Sequence, residues 1–307
     1  MNYILARRGF MKTCLMAPVL QLPLLALANQ STLIDQHQAI KKRLKMSLNA
    51  YSFNDQLRAK TISIDDLLVF CAGQNFDGID LTGYYLPNYP QIPSDEYIYQ
   101  LKHKAHLLGL SISGTGIKND FTQADPNKRK ADVEMVKSWV DVAAKLGAPV
   151  LRIFSGVEIP KQYSWQQIAE WMAKDIQECV NYGESKGVIV AIQNHNDFLK
   201  NAAEVKQLFQ MVNRKWFGLV LDIGSYQQGN AYEQINDTIP LAVNWQLKEN
   251  MYENGEEVKT DLKKVLKMIL DSNYRGFVPI ETLGKGDPKE KVAKFLLEIR
   301  SVLNELS

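Results

Sequence analysis

Four side chains with oxygen donors close apolar runs in the second half of the chain. They are Gln193 in VAIQNHND, Asp222 in GLVLDIGS, Gln246 in VNWQLKEN and Glu281 in GFVPIETL. Each run reads as a buried strand, so the polar residue at its end must face something other than hydrocarbon. Two carboxylates at one point repel each other unless a cation, a proton or a basic side chain lies between them. Asp, Glu and two amide oxygens form a hard, all-oxygen set. It suits a divalent metal such as Mn, Mg or Ca better than Zn. Taken singly, each of the four is better explained as a hydrogen-bonded polar group at a strand end; as a set of four they point to a common site. Two further candidates lie upstream. Arg152 ends the run VLRIFSG and fits either a substrate oxygen or a structural ion pair. Tyr84 opens the stretch YYLPNY, whose rings could cover the C–H face of a sugar or simply pack a loop.

For these groups to act together, the fold must bring several strand ends to one place. Short β-branched or aliphatic runs followed by polar residues recur eight times, at 45–53, 76–85, 108–116, 147–156, 187–195, 216–225, 243–250 and 274–284. Stretches of helical periodicity lie between them, among them Ser94–Leu108, Asp125–Leu146, Ser164–Lys186 and Val258–Ser272. Gly109, Gly147 and Gly187 follow helical runs, where a left-handed C-cap belongs. Asp125-Pro126 fits an N-cap with Pro at the first helical position, and Ser164 with Gln167 has the form of a capping box. Eight strand–helix units in about 260 residues predict an α/β fold, a single-domain (β/α)8 TIM barrel over residues 45–305. An open doubly wound sheet would call for a Gly-rich phosphate loop after the first strand, and NAYSFND is not one. In a barrel, alternate strand residues point inward, and the last inward residue faces the open mouth. The four oxygen-bearing side chains therefore belong to one rim, together with the irregular pieces Thr82–Pro93 and Gly114–Ala124.

Composition narrows the partners. The 307 residues are 46% hydrophobic and carry a formal net charge of +2 with no basic tract, which argues against nucleic acid. The first 28 residues read as an export signal. Arg7-Arg8 precedes Phe10-Met11-Lys12, a broken apolar run follows, and Ala26-Leu27-Ala28 forms a small-x-small cleavage site. The Arg pair resembles a twin-arginine signal, which predicts a periplasmic or secreted protein with no stable membrane span after signal removal. Cys71 and Cys179 lie far apart in apolar helical contexts and read as buried free thiols. His103 and His106 are three apart near the end of a helix, away from the expected rim, and read as surface residues.

From Lys45 onward the chain resembles the sugar phosphate isomerase/epimerase family, the xylose-isomerase-like TIM barrels, through VAIQNHNDF, GLVLDIGSY, VNWQLKEN and GFVPIETLG. The resemblance implies a divalent metal held by Glu, Asp, His and Glu at four strand ends, with the two Glu moving a proton on a ketose or aldose. Asp222 and Glu281 match that pattern. Gln193 replaces the first Glu, Gln246 replaces the His, and Ser225 stands where some members carry another His. An amide ligates a cation without charge and takes no proton at neutral pH, so Gln193 cannot be a general base. Glu281 is then the candidate base. His195, which shares the alternation of Gln193, is a second acid/base, a substrate donor or a structural residue. Lys248 either steadies an enolate or alkoxide, or pairs with Glu249 or Glu281. Glu249 is counted with Arg152 and Tyr84 among possible substrate contacts. The expected partner is a small-molecule carbohydrate, a non-phosphorylated sugar, keto-sugar or cyclic polyol, undergoing isomerisation, epimerisation or a related elimination. The alternative is a sugar-binding protein whose metal site has decayed. A metal-dependent phosphodiesterase, as in the related nuclease barrels, fits poorly with four histidines in the whole chain.

Overall fold

The structure is a computed structural model and describes residues 44–157 and 159–306; the expected export signal lies outside the described residues. Eight parallel strands close a barrel: β1 (Lys45–Asn49), β2 (Gly78–Thr82), β3 (Ser111–Gly116), β4 (Val150–Ile153), β5 (Ile189–Gln193), β6 (Phe217–Asp222), β7 (Ala242–Lys248) and β10 (Phe277–Glu281). The first and last of these pair with each other, so the sheet has no open edge. An antiparallel hairpin, β8 (Asn250–Glu253) and β9 (Glu256–Lys259), follows β7. Among the described residues, a five-residue helix (Asn54–Arg58) follows β1, and eight longer helices lie outside the barrel: α1 (Ile64–Gly73), α2 (Asp95–Leu107), α3 (Pro126–Leu146), α4 (Trp165–Lys186), α5 (Ala202–Val212), α6 (Ala231–Thr238), α7 (Leu262–Asp271) and α8 (Pro288–Glu305). This is the (β/α)8 barrel expected, with every strand in its expected place.

The helix signals act as their chemistry dictates. The Ser164 side chain accepts from the Gln167 amide while Gln167 reaches back, so α4 starts on a reciprocal capping box. Asp125 caps α3 ahead of Pro126. Gly147 and Gly187 end α3 and α4 at φ of 77° and 70°, where a Cβ would be strained. One expected boundary is wrong. The helix expected over Val258–Ser272 begins only at Leu262, and Val258 and Lys259 belong to β9, because Asn254 and Gly255, at φ of 51° and 90°, reverse the chain sharply. Asn-Gly with both residues at positive φ is a favoured two-residue hairpin turn, and helical periodicity takes over only after Asp261 caps α7.

Two apolar cores flank the strands. The larger fills the space between helices and sheet, and includes the fully buried Trp139, Trp245, Phe53 and both Cys71 and Cys179, which are free thiols as expected. The smaller lies within the barrel and joins Val150, Ala191 and Val220. The rest of the barrel interior is polar. Ser47 and Ser113 share a hydrogen bond of 2.6 Å, and Asn244 of β7 donates across the barrel to Asp80 of β2 at 3.0 Å. Gly114 makes room for that pair, since a Cβ there would lie 2.7 Å from Asp80 Oδ2.

At the mouth, the loop after β2 is fixed to α3. Trp139 Nε1 donates to the Pro90 carbonyl at 3.0 Å, and its ring lies 5.5 Å from that of Tyr89. The Tyr89 hydroxyl in turn accepts from the Lys118 amide at 2.8 Å, tying in the loop after β3. Trp139→Ala should therefore cost about 3–5 kcal/mol of stability through the cavity left. It should also loosen this clamp, read as earlier denaturant unfolding together with faster amide hydrogen exchange at Lys118.

Candidate functional site

Register decides which strand ends meet. β6 pairs with β7 so that Asp222 lies beside Gln246, and β10 pairs with β7 so that Glu281 lies beside Lys248. In-register neighbours on parallel strands point to the same side of the sheet, so all four face the barrel mouth. Gln193 ends β5, next to β6, and reaches Asp222 diagonally. All four strand-end oxygen donors of the sequence thus meet, each at most 5% exposed.

Asp222 is the centre of this group. Its Oδ2 accepts from Lys248 Nζ at 2.8 Å and from Gln193 Nε2 at 2.9 Å. Its Oδ1 accepts from the Gly224 amide at 2.9 Å. Two carboxylates face one end of the Gln246 amide and assign its NH2 group there, 3.0 Å from Glu281 Oε2 and 3.1 Å from Asp222 Oδ2, with its carbonyl accepting from Asn49 Nδ2 at 3.2 Å; this orientation gives up the alternative bond in which the Gln246 carbonyl accepts from Gln193 Nε2 at 2.9 Å and leaves those two nitrogens in contact. Asn194, next along from Gln193, holds the Asp222 backbone from both sides, donating to its carbonyl and accepting from its amide, each at 2.9 Å. Asp222 thus gathers four donors, three on Oδ2 and one on Oδ1. Glu281 receives one hydrogen bond, from Gln246, among the described residues.

The two charged partners respond to burial in opposite ways. Burial opposes the charge on Lys248, but the nearby Asp222 and Glu281 carboxylates outweigh it and lift the ammonium above its ordinary pKa. Burial pushes the Glu281 carboxyl up, and the Asp222 charge pushes the same way, against the pull of Lys248, Arg152 and His195. Glu281 is consequently a stronger base than an exposed carboxylate.

Above this floor opens a cavity of about 1050 Å3. Gln193, Gln246, Lys248 and Glu281 form its base, and Tyr84, Arg152 and His195 line its wall. Arg152 is 7% exposed and makes no ion pair with a carboxylate among the described residues. It donates to the Ile117 carbonyl at 2.7 Å and to the Tyr84 hydroxyl at 2.6 Å, and its guanidinium stacks 4.0 Å from the centre of the Phe154 ring. Gly116 allows that path, because a Cβ there would lie 2.7 Å from Arg152 Nε. His195 packs edge-on against the other side of this wall, 4.9 Å from Phe154, with Nδ1 2.8 Å from Asp197 Oδ2. The carboxylate fixes the ring tautomer so that Nε2 is left for the cavity.

Two expectations from sequence are corrected, and the divalent ion is weighed after them. Lys248 pairs with Asp222, not with Glu249 or Glu281, because its side chain crosses the mouth toward β6. Glu249 does not line the cavity. Alternation turns it outward, where it lies 3.3 Å from Lys291. The arrangement also does not fit the expected divalent ion. Such an ion needs several deprotonated oxygens pointing at it, whereas here an ammonium and amide N–H groups point at Asp222, and no group of three or more His, Cys, Asp or Glu is gathered for a metal among the described residues. His103 and His106 are exposed on the last turns of α2, as expected.

Sequence reading missed Asp80, Asn244, Asn49 and Asn194. Asp80 carries a signal in retrospect, a lone acid inside the strand GIDLT, at the same inward phase as the strand-end residues. Asn194 was hidden by alternation, which gives it no inward place; it acts on backbone instead.

Fold and site together define a TIM barrel with acid, amide and amine groups at the C-terminal mouth, the end at which such barrels carry their chemistry. The Xylose isomerase-like TIM barrel family model matches residues 69–301, and the chain belongs to that family. Among solved structures, a D-psicose 3-epimerase from Clostridium cellulolyticum superposes with a TM-score of 0.70 at 16% identity, over 85% of this chain and 99% of that one. A 3-keto-D-glucoside 4-epimerase from E. coli gives 0.69 at 12% identity, over 84% and 100%. A probable 3-DHS dehydratase from Bacillus anthracis gives 0.64 at 16% identity, over 84% and 99%. A search of curated proteins gave no match by sequence.

Asp80 supplies a pH test of the interior. Burial pushes its carboxyl up to about 6, with the Arg152 charge and the Asn244 hydrogen bond only partly opposing. The folded state holds this proton more tightly than the unfolded chain, so ionisation costs stability as pH rises from about 4 to 6, and the cost persists above. Asp80→Asn should gain on the natural protein by on the order of 2–3 kcal/mol between pH 4 and pH 7, read from urea midpoints at the two pH values.

Proposed function

We propose that this chain is an isomerase-type enzyme acting on a carbohydrate by enolisation. The observation that carries it is the contrast between two buried carboxylates, Asp222 beneath the cavity floor with four donors around it and Glu281 on the floor with one. Glu281 removes a proton from carbon next to a substrate carbonyl, its raised pKa bringing it closer to the pH at which a base works best. The electron pair moves into an enolate, whose oxygen is met by the Lys248 ammonium or by the Arg152 and Tyr84 donors on the cavity wall. Delivery of a proton to the opposite face by a second acid, for which His195 is the candidate, leaves the abstracted proton on Glu281 and gives an epimer, whereas return of the abstracted proton to the neighbouring carbon gives an isomer. Loss of a β-substituent from the same enolate gives elimination, so a dehydratase among the similar folds is consistent with one mechanism. His195 Nε2 is placed to hand a proton to or from a substrate oxygen.

A keto-sugar or other non-phosphorylated carbohydrate fits this floor of amide, ammonium and carboxylate side chains. A phosphorylated sugar is the second reading, favoured by Arg58, Lys60 and Lys118 on the cavity's outer wall. Rates on free and phosphorylated forms of one keto-sugar separate the two.

Glu281→Gln keeps shape and hydrogen bonding but removes the base. It should lower kcat by about 10^2–10^4-fold with sugar affinity held within a few-fold. Saturable sugar binding by the natural protein with no turnover on a keto-sugar panel would instead establish a binding protein.

Export by the twin-arginine route belongs to the same proposal, since it would put the enzyme among extracytoplasmic sugars. Replacing Arg7 and Arg8 together by Lys should retain the precursor in the cytoplasm, and N-terminal sequencing of the exported natural protein should begin at or near Asn29.

A further inference from the structure

The four strand-end side chains converge as a metal site would, but they converge around N–H bonds. A carboxylate offers about four lone-pair positions. At Asp222 four donors are gathered, the Lys248 ammonium and the Gln193 and Gln246 amides on Oδ2 and the Gly224 backbone on Oδ1. For a divalent ion to bind there, both amides would have to turn their oxygens inward and the ammonium would have to leave. Lys248 has little room to leave. Its side chain is 15% exposed, and it is rooted in a central position of the sheet between β6 and β10. An ammonium left beside a doubly charged ion, with its own carboxylate taken away, would be a buried and uncompensated charge.

The residue types agree with one another. Gln at 193 donates to Asp222, where a Glu would add a third negative charge beside Asp222 and Glu281. Gln at 246 bridges the two carboxylates with one NH2 group, which a metal-ligating imidazole could not do while bound to an ion. The amides and the ammonium thus form one self-consistent set, rather than a metal site with two ligands lost.

We propose that the Lys248 ammonium is the resident cation of this site, balancing Asp222 and meeting the negative oxygen that develops on the substrate, and that the protein works without a divalent metal. The second clause deepens the enolisation reading and rests on it; the ion balance does not. The amides at 193 and 246 are positioning residues that hold the carboxylates toward Lys248.

The test is a metal titration of the full chain after dialysis against a chelator, by calorimetry or by Mn2+ electron paramagnetic resonance, with elemental analysis alongside. The natural protein should show no saturable Mn2+ site tighter than about 1 mM, and Mn2+, Mg2+, Ca2+ or Zn2+ should leave its Tm unmoved. A triple variant, Gln193→Glu, Gln246→His and Lys248→Met, removes the ammonium and both amide donors. It should acquire one Mn2+ per chain, with a Tm that rises on adding the ion. One firmly held divalent ion per natural chain, lost on Asp222→Asn, overturns the proposal, as does a folded triple variant that takes up no metal. Should the triple variant fail to fold, the titration of the natural protein decides alone. A natural protein that binds no metal and turns over no sugar sinks the enzymatic reading and leaves the ion assignment standing.

Discussion

The structure is organised around one cost, that of taking the Asp222 carboxylate out of water. A fully buried anion loses several kcal/mol of hydration, even after the protein relaxes, and recovers it only if every lone pair finds a donor. The architecture follows from that need. β6 delivers Asp222 at its last residue, β7 brings the ammonium and one amide from two positions two apart, and β5 brings the other amide. The backbone that carries the carboxylate is itself held on both sides by Asn194. Because Glu281 lies in register with Lys248, the same ammonium stabilises a second carboxylate without being spent on it, and that carboxylate keeps its basicity.

The barrel interior divides along related lines. A small apolar cluster fills one side, while Ser47, Ser113, Asp80 and Asn244 occupy the other in direct hydrogen bonds. Polar residues in a barrel core limit its stability, but they also transmit charge. Arg152 at the mouth acts on both Asp80 below and Glu281 beside it. The wall carrying Arg152 is kept in place by stacking on Phe154 and by the aromatic clamp of Tyr89 and Trp139 over the adjacent loops.

Much of this was legible in the sequence, and what was not has identifiable causes. Strand count, helix caps and the inward phase of Gln193, Asp222, Gln246 and Glu281 follow from periodicities of two and 3.6 and from the local chemistry of Ser, Asp, Pro and Gly. Those are short-range signals. The choice between a metal and an amine at the centre is not short-range. It depends on which of three acids Lys248 reaches, and that is set by side-chain direction across a curved sheet. Asn194 escaped notice for a related reason. Alternation assigns it no inward place, and its function is to bond backbone of the neighbouring strand. The strand pair ahead of α7 does carry a short-range signal, the Asn-Gly of a hairpin turn at 254–255.

The hairpin has a meaning of its own for how this barrel can vary. β8 leaves immediately after Lys248 and β9 returns to the same place, where Thr260 closes the excursion by donating from its hydroxyl to the Lys248 carbonyl at 2.8 Å and from its amide to the Glu249 carbonyl at 2.9 Å. Length added at the tip is therefore mechanically decoupled from the residue it follows. Evolution or an engineer can lengthen, shorten or decorate Asn254-Gly255, whose one backbone tie outside the hairpin among the described residues is from the Asn254 amide to the Gly229 carbonyl, while the stem keeps Lys248 in position.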